Sequence, residues 1–349
     1  MSKAAELANL IGNINAGGGG VNRNVIINGA MNIKQRDAGG FTGLGGSSIY
    51  HLDRWKFDLN NTAGRFSSTQ DSSAPSGFAN SIKLACTTAD TSIAADEYLI
   101  FQQRIEGQNL QSFAKGTSDA KPFALSFYVK GNASATYTAE LFDGDNSRQI
   151  SKTFTVGTDW SRVELSYPAD TTGAFDDDNA NSFNLNIWIH AGSNYKSGTL
   201  NSSAWASNTT ANRVSSSNTS FLDSTDRTFF ITGVQLEVGQ NPTEFEHEPI
   251  ERTLEKCQRY FLRKDVPQGY MNGMGNTSQY ESYDVPVTMR ADGTGSVSTT
   301  VRYWSGSTAT SLSGTVSVYP KTNHVIITAG NLTNGNGYVD GTLDLDAEL

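Results

Sequence analysis

Apolar residues recur at every second position through much of this chain, the spacing of strands that bury one face. Phe183, Leu185, Ile187 and Ile189 form the cleanest such run. Phe123, Leu125, Phe127 and Val129 keep the same period, as do Tyr137, Ala139 and Leu141 and, more briefly, Val163 and Leu165. A later strand changes phase. Phe229 and Ile231 fall on one parity, whereas Val234, Leu236 and Val238 fall on the other, so a bulge at Thr232-Gly233 is predicted. Asn24-Val25-Ile26-Ile27-Asn28-Gly29 reads as a short apolar strand ending in a turn residue. These opening and closing strands bracket one β-sandwich. Long polar stretches at 60–80, 169–181 and 192–226 read as loops, where binding residues commonly sit.

Two segments carry a helical period instead. Ala4, Leu7, Ile11 and Ile14 follow spacings of three, four and three, an a/d stripe over about two heptads. That length is too short to stand alone, so the stripe calls for sister chains or another protein. The glycines at 17–20 then act as a flexible joint. Ile250, Leu254, Cys257 and Phe261 also share a helical face, supported by Glu255 four residues before Arg259. Beyond it β patterning resumes, with Val285, Val287 and Met289 and then the stretches 297–304, 315–319 and 324–328. The expected layout is an N-terminal helix and linker over 1–20, a sandwich over 21–249, a connecting helix over 250–262 and a small β-domain over 263–349.

Composition narrows the class. The chain has 349 residues, 37% of them hydrophobic and only 17% charged, with 34 glycines and 8 prolines. Aromatics at 10% are enough to build a core, so this is not a disordered composition. A net charge of −9 argues against a nucleic-acid partner, which demands basic surface. No apolar run reaches the roughly 20 residues that span a bilayer, and the N-terminus lacks a signal-peptide core. Synthesis in a cytosol is the resulting expectation, and with it free thiols at Cys86 and Cys257.

Three motifs resemble those of a known family. Asn24-Val25-Ile26-Ile27-Asn28-Gly29-Ala30-Met31 is similar to the opening of jelly-roll domains of the carbohydrate-binding-module kind. Leu52-Asp53-Arg54-Trp55 resembles the sequence that follows this opening in bacteriophage tail-fibre and related virion proteins. Ile231-Thr232-Gly233-Val234-Gln235-Leu236-Glu237-Val238-Gly239, then Phe245-Glu246-His247-Glu248-Pro249 and Cys257-Gln258-Arg259-Tyr260-Phe261, resemble the closing segments of the same phage proteins. Together the motifs bracket residues 22–261. The resemblance implies a mainly β chain: a jelly-roll β-sandwich plus a smaller C-terminal β-domain, in a tail-fibre or appendage component of a phage particle. The sugar-binding modules carry carboxylates that help hold a structural calcium. The matching positions here are Asn32, Thr232 and Gly233, so a calcium site is not expected there.

Candidate chemistry is sparse. Four histidines (His51, His190, His247, His324) lack any metal-ligand spacing, and no nucleophile elbow, P-loop or dinucleotide fingerprint occurs. Asp143-Gly144-Asp145-Asn146-Ser147 begins like a calcium loop but lacks the later Glu. With Asp176-Asp177-Asp178, it reads as a solvated turn. No metal, cofactor or catalytic residue is assigned. The binding candidate lies on the cleanest strand. If Phe183, Leu185, Ile187 and Ile189 face the core, then Asn184, Asn186, Trp188 and His190 line the other face. A ring among amides and an imidazole is what a sugar platform needs. The same face could instead be covered by loop 192–226 or a neighbouring chain.

The combined expectation is a non-enzymatic virion protein, made in the host cytoplasm, with neither nucleic-acid nor membrane partner. It would be homotrimeric, with Ala4, Leu7, Ile11 and Ile14 attaching it to other virion proteins and its sandwich contributing to host-glycan attachment. A capsid or neck decoration protein without a receptor fits the same motifs. A glycan-active enzyme would need paired carboxylates, which one sequence cannot reveal.

Overall fold

A computed structural model describes residues 2–4, 6–8, 11, 22–36, 41–44, 48–273, 279–305, 308–312, 316–329 and 335–349. The chain divides into two compact units, 1–249 and 250–349. Both are built from antiparallel strands, and the fold is mainly β.

The first unit contains β1 (Phe41–Leu44), β2 (Ile49–Tyr50), β3 (Lys56–Asn60), β4 (Arg65–Asp71), β5 (Ser81–Thr88), β6 (Tyr98–Glu106), β7 (Phe123–Gly131), β8 (Ala135–Asp143), β9 (Arg148–Val156), β10 (Ser161–Tyr167), β11 (Asn181–Ala191), β12 (Ala206–Ser207) and β13 (Thr228–Val238). A six-stranded sheet runs β1-β4-β5-β13-β7-β10, and a seven-stranded sheet runs β12-β9-β8-β11-β6-β3-β2. The non-sequential neighbours mean that the chain repeatedly crosses between layers, giving a jelly-roll sandwich. One apolar core joins the sheets. Phe123, Leu125 and Phe127 from one sheet, and Phe183, Leu185 and Ile187 from the other, are fully buried within it. The period-two runs in the sequence correspond to these inward faces.

The closing strand β13 lies inside the six-stranded sheet, paired with both β5 and β7. Its register against β7 shifts between Thr232 and Gln235, which places the predicted bulge. Gly233 adopts φ +63°, and a Cβ there would meet the Phe78 ring at 2.7 Å and the Tyr128 ring at 2.9 Å. Glycine therefore serves both the left-handed backbone and the close rings.

The opening segment differs from expectation. Residues 23–30 form an irregular run and a turn instead of a strand. Their backbone groups are nevertheless satisfied by the closing strand. The Val25 N–H donates to the Leu236 carbonyl and the Val234 N–H to the Gly29 carbonyl, at 3.0 Å each. The Asn24 side chain donates to the Val234 carbonyl and accepts from the Leu236 N–H, taking places a strand's backbone would fill. The loop expected over 60–80 contains β4, whose alternation is hidden because its second buried position is Ser68, leaving Phe66 as its one apolar residue.

The second unit opens with α1 of the C-terminal part, the helix Ile250–Gln258, in which Cys257 is buried and Ile250 exposed. Two sheets follow: a four-stranded one led by Phe261–Gly273, Thr294–Ser305 and Gly335–Asp346, and a three-stranded one of Gln279–Asp284, Val316–Pro320 and His324–Ala329. Leu262, Met289, Val325, Ile327, Leu343 and Leu345 form its core. Residues 285–289, expected as a strand, are irregular, and Met289 is buried by a different route: its N–H donates to the Thr322 carbonyl at 2.6 Å.

Gly29 provides a test of the lock between opening and closing segments. A Cβ there would lie 2.1 Å from the Val234 carbonyl oxygen, a backbone atom that cannot move without breaking the pairing. Gly29→Ala should cost roughly 3 kcal/mol in urea unfolding. Gly157→Ala, where a Cβ meets nothing within 4 Å, should stay within about 0.5 kcal/mol of wild type.

Candidate functional site

On β11, Asn184, Asn186, Trp188 and His190 do share the face turned away from the core. That face is roofed. The helix Ser193–Lys196 and the segment 213–220 fold back across it, tied down by the Thr219 N–H to the Thr136 carbonyl and the Phe221 N–H to the Ile189 carbonyl, 2.8 Å each. Trp188 and His190 are fully buried and Asn186 nearly so; only Asn184 remains half-buried at an open margin. An exposed Trp188 platform is therefore corrected. The ring packs against Tyr98 and Tyr195 at 5.9 and 5.2 Å, and beneath the Arg213 guanidinium at 4.8 Å. Ile100, Ala191 and Val214 complete this small apolar cluster.

Burying that face required satisfying its polar groups. Glu140 on β8 is the hub, fully buried. Arg213 grips it with two hydrogen bonds, at 2.7 Å through Nε and 2.8 Å through Nη2. The Trp188 indole N–H and the Asn186 amide donate to the same carboxylate at 2.8 and 2.9 Å. Asn186 in turn accepts from Gln102 at 2.7 Å, and Gln102 from Arg104 Nε at 2.8 Å. A directed chain of donors thus crosses β6, β11 and β8 and ends on one carboxylate. None of Glu140, Arg213, Gln102 or Arg104 was singled out from sequence. The outward parity of β8 and β6 marks such residues as outward-facing, but not which of them meet.

Beside the roof a row of side chains stays accessible. Register places Arg104 opposite Asn184, Asn184 opposite Phe142, and Phe142 opposite Gln149. Arg104, Asn184 and Phe142 are half-buried, and the Arg213 guanidinium of the roof lies over the Phe142 ring, 5.0 Å from its centre. Behind them, enclosed from solvent, the Asn184 Oδ1 and both amide ends of the fully buried Gln149 find no hydrogen-bond partner among the described residues. Unused capacity of this kind is rare away from water or a ligand.

The other sequence candidates have structural duties. Asp143 accepts from the fully buried Lys115 at 2.5 Å, and Lys115 also meets Asp170 at 3.2 Å and the Thr172 and Gly173 carbonyls, so the Asp-rich loop is pinned by a cation of the protein itself. Asn32 accepts from the Asn80 amide at 3.0 Å while the Thr232 hydroxyl donates to the Asn80 carbonyl at 2.7 Å; Asn80 thus joins two of the three positions that match the family's calcium site. No group of three metal-ligating side chains occurs among the described residues. The Asp53 carboxylate binds Gln35, and the Trp55 indole stacks on Phe101 at 4.5 Å and donates to the Asn28 carbonyl, so that motif is a packing device. Of the N-terminal stripe, Ala4, Leu7 and Ile11 are helical and exposed, while Ile14 lies outside the described residues.

No protein-family model and no curated protein matches the chain. Among solved structures it is similar to the enzymatically active domain of tailspike protein 4 of bacteriophage CBA120, at 14% identity and a TM-score of 0.33, covering 62% of this chain and 21% of that one. The chain thus spans about a fifth of that tailspike's length. It is similar also to a family 11 carbohydrate-binding module of Clostridium thermocellum, solved with a β-1,3-1,4-mixed-linked tetrasaccharide (13% identity, TM-score 0.30, 60% of this chain, 100% of that one). A third is a family 22 carbohydrate-binding module of the same organism (14%, 0.30, 60% and 99%). Likeness at these identities concerns fold alone.

His190 gives a pH test. Its ring meets Ser220 at 2.8 Å and Glu97 at 3.3 Å, and burial pulls its pKa from 6.5 to about 4. The unfolded chain therefore takes up a proton that the folded chain refuses. Stability contributed by the neutral ring is present above about pH 6.5 and lost towards pH 4, by up to about 3 kcal/mol. Melting curves from pH 7 to 4.5 should fall more steeply for wild type than for His190→Gln; parallel curves would refute the assignment.

Proposed function

We propose that the chain is a non-enzymatic structural subunit of a tailed-phage virion, of tail-fibre or appendage type, whose sandwich attaches to host-surface glycan. The observation that carries the attachment reading is the row Arg104, Asn184, Phe142 on the seven-stranded sheet. An aromatic ring there lies beside the half-buried Asn184 amide, which in turn faces a guanidinium held by Gln102. Sugars present apolar C–H faces and hydroxyls together, and such a row answers both. Placement in a virion rests on the phage-like closing motifs, and assembly on the exposed Leu7 and Ile11, which three chains meeting on an axis would bury. No helix among the described residues is long and apolar enough to cross a membrane.

Binding of the purified full chain to neutral oligosaccharides cut from the host surface tests this reading. Asn184→Ala and Phe142→Ala should each weaken it about tenfold, the effect of losing roughly 1.4 kcal/mol, with the melting temperature little changed. Failure of wild type to bind any such oligosaccharide, or release of new reducing ends from host polysaccharide, would overturn it. Deleting residues 1–16 should leave the sandwich folded but absent from assembled particles; particles that still carry it would refute the anchor.

A further inference from the structure

The opposite layer of the sandwich carries a second unusual row. On the outer face of the six-stranded sheet, Phe230 of β13 stands directly between Lys83 of β5 and Lys130 of β7. Both ammonium groups lie over its ring, at 5.5 and 5.7 Å from the centroid. Trp160, half-buried just before β10, meets the same ring edge-on at 6.1 Å and 71°. Phe230 itself is only 9% exposed, so the lysine stems and the indole form the surface a ligand would touch.

This concentration of positive charge is out of keeping with the chain. Net charge is −9, yet two cations share one ring. Lys83 has a loose carboxylate neighbour, Asp71 at 3.9 Å, with both side chains partly in solvent. Among the described residues no carboxylate is within ion-pairing distance of Lys130. Ring faces attract each cation but do nothing to relieve the repulsion between them. An anion paired with Lys130, which has no carboxylate of its own among the described residues, does relieve it.

We propose that Lys83, Lys130 and Trp160 form a subsite for an acidic saccharide. The sugar carboxylate pairs with the Lys130 ammonium, Lys83 adds longer-range attraction from the other side of Phe230, and an apolar C–H face of the same sugar lies on the Trp160 indole. The choice of a sugar over other anions takes over the ligand class of the attachment reading; the charge and the location are independent of it. The ligand class is a carboxylated hexose unit of the uronic-acid kind, and an exposed site of this type is sensitive to salt.

Titration calorimetry of the full chain with trigalacturonate and with neutral galactotriose, each at 50 and 300 mM NaCl, tests the subsite. Trigalacturonate should bind at least tenfold more tightly than galactotriose and lose several-fold affinity at the higher salt. Lys130→Gln and Trp160→Ala should each weaken it at least fivefold, whereas Lys121→Gln, which removes the same charge elsewhere, should not. Equal binding of the neutral sugar, no binding of trigalacturonate, or indifference to Lys130→Gln would overturn the proposal. Sulfate or phosphate competing as well as trigalacturonate does, molecule for molecule, would overturn the saccharide part by showing a general anion site. Asn184→Ala with a neutral host oligosaccharide reports separately on the attachment reading, so either can fail without the other.

Discussion

The bond pattern between residues 22–29 and the closing strand holds the first unit together. β13 sits inside its sheet, so its backbone must be paired on both sides, and on the stretch after the bulge part of that pairing comes from the opening segment. Asn24 substitutes a side-chain amide for a backbone rung, and the Glu246 carboxylate takes the N–H groups of Asn22, Arg23 and Asn24 at 2.6–3.0 Å. Two stretches over two hundred residues apart in sequence thereby close one object. The cost of bringing them together is loop entropy, which rises slowly with length. Gly29 and Gly233 are needed because backbone and rings approach too closely there for any side chain.

The motifs that resemble phage and sugar-binding proteins owe their pattern to this closure. Asn28 caps its own turn by accepting from the Asn32 and Ile33 N–H groups, and donates to the Ile33 and Asp53 carbonyls. Trp55 then covers it. A signature made of buried amides and rings reports fold, and binding has to be sought on the outer faces. There the two layers differ. The seven-stranded sheet hides most of its polar residues beneath a roof held by the Glu140–Arg213 pair and leaves Arg104, Asn184 and Phe142 at the margin. The six-stranded sheet is unroofed along the row of Lys83, Phe230, Lys130 and Trp160, so its cations meet solvent.

Buried charge recurs in the supporting structure. Lys115, fully enclosed, is held by Asp143, Asp170 and two carbonyls and lies 5.2 Å from the Phe175 ring centre. Such groups are expensive to bury unless every donor is used. Here they tie loops 143–146 and 169–175 to each other, which is why those loops are ordered despite their polar sequence.

Alternation by itself determined the inward faces of β7, β8, β11 and β13, and the phase change at Thr232 determined the bulge, because a strand's side chains must alternate whatever its neighbours are. It also determined that Asn184, Asn186, Trp188 and His190 point together. Tertiary structure alone decided that three of the four are enclosed, since a roof of Ser, Thr and Asn carries no period that announces where it will fold. It decided too that the opening segment is not a strand, because a side chain there does the work of a backbone rung. The pairing of Glu140 with Arg213 depends on where the roof folds, and the placing of Lys83 and Lys130 on either side of Phe230 on strand order, long-range choices that no local pattern contains.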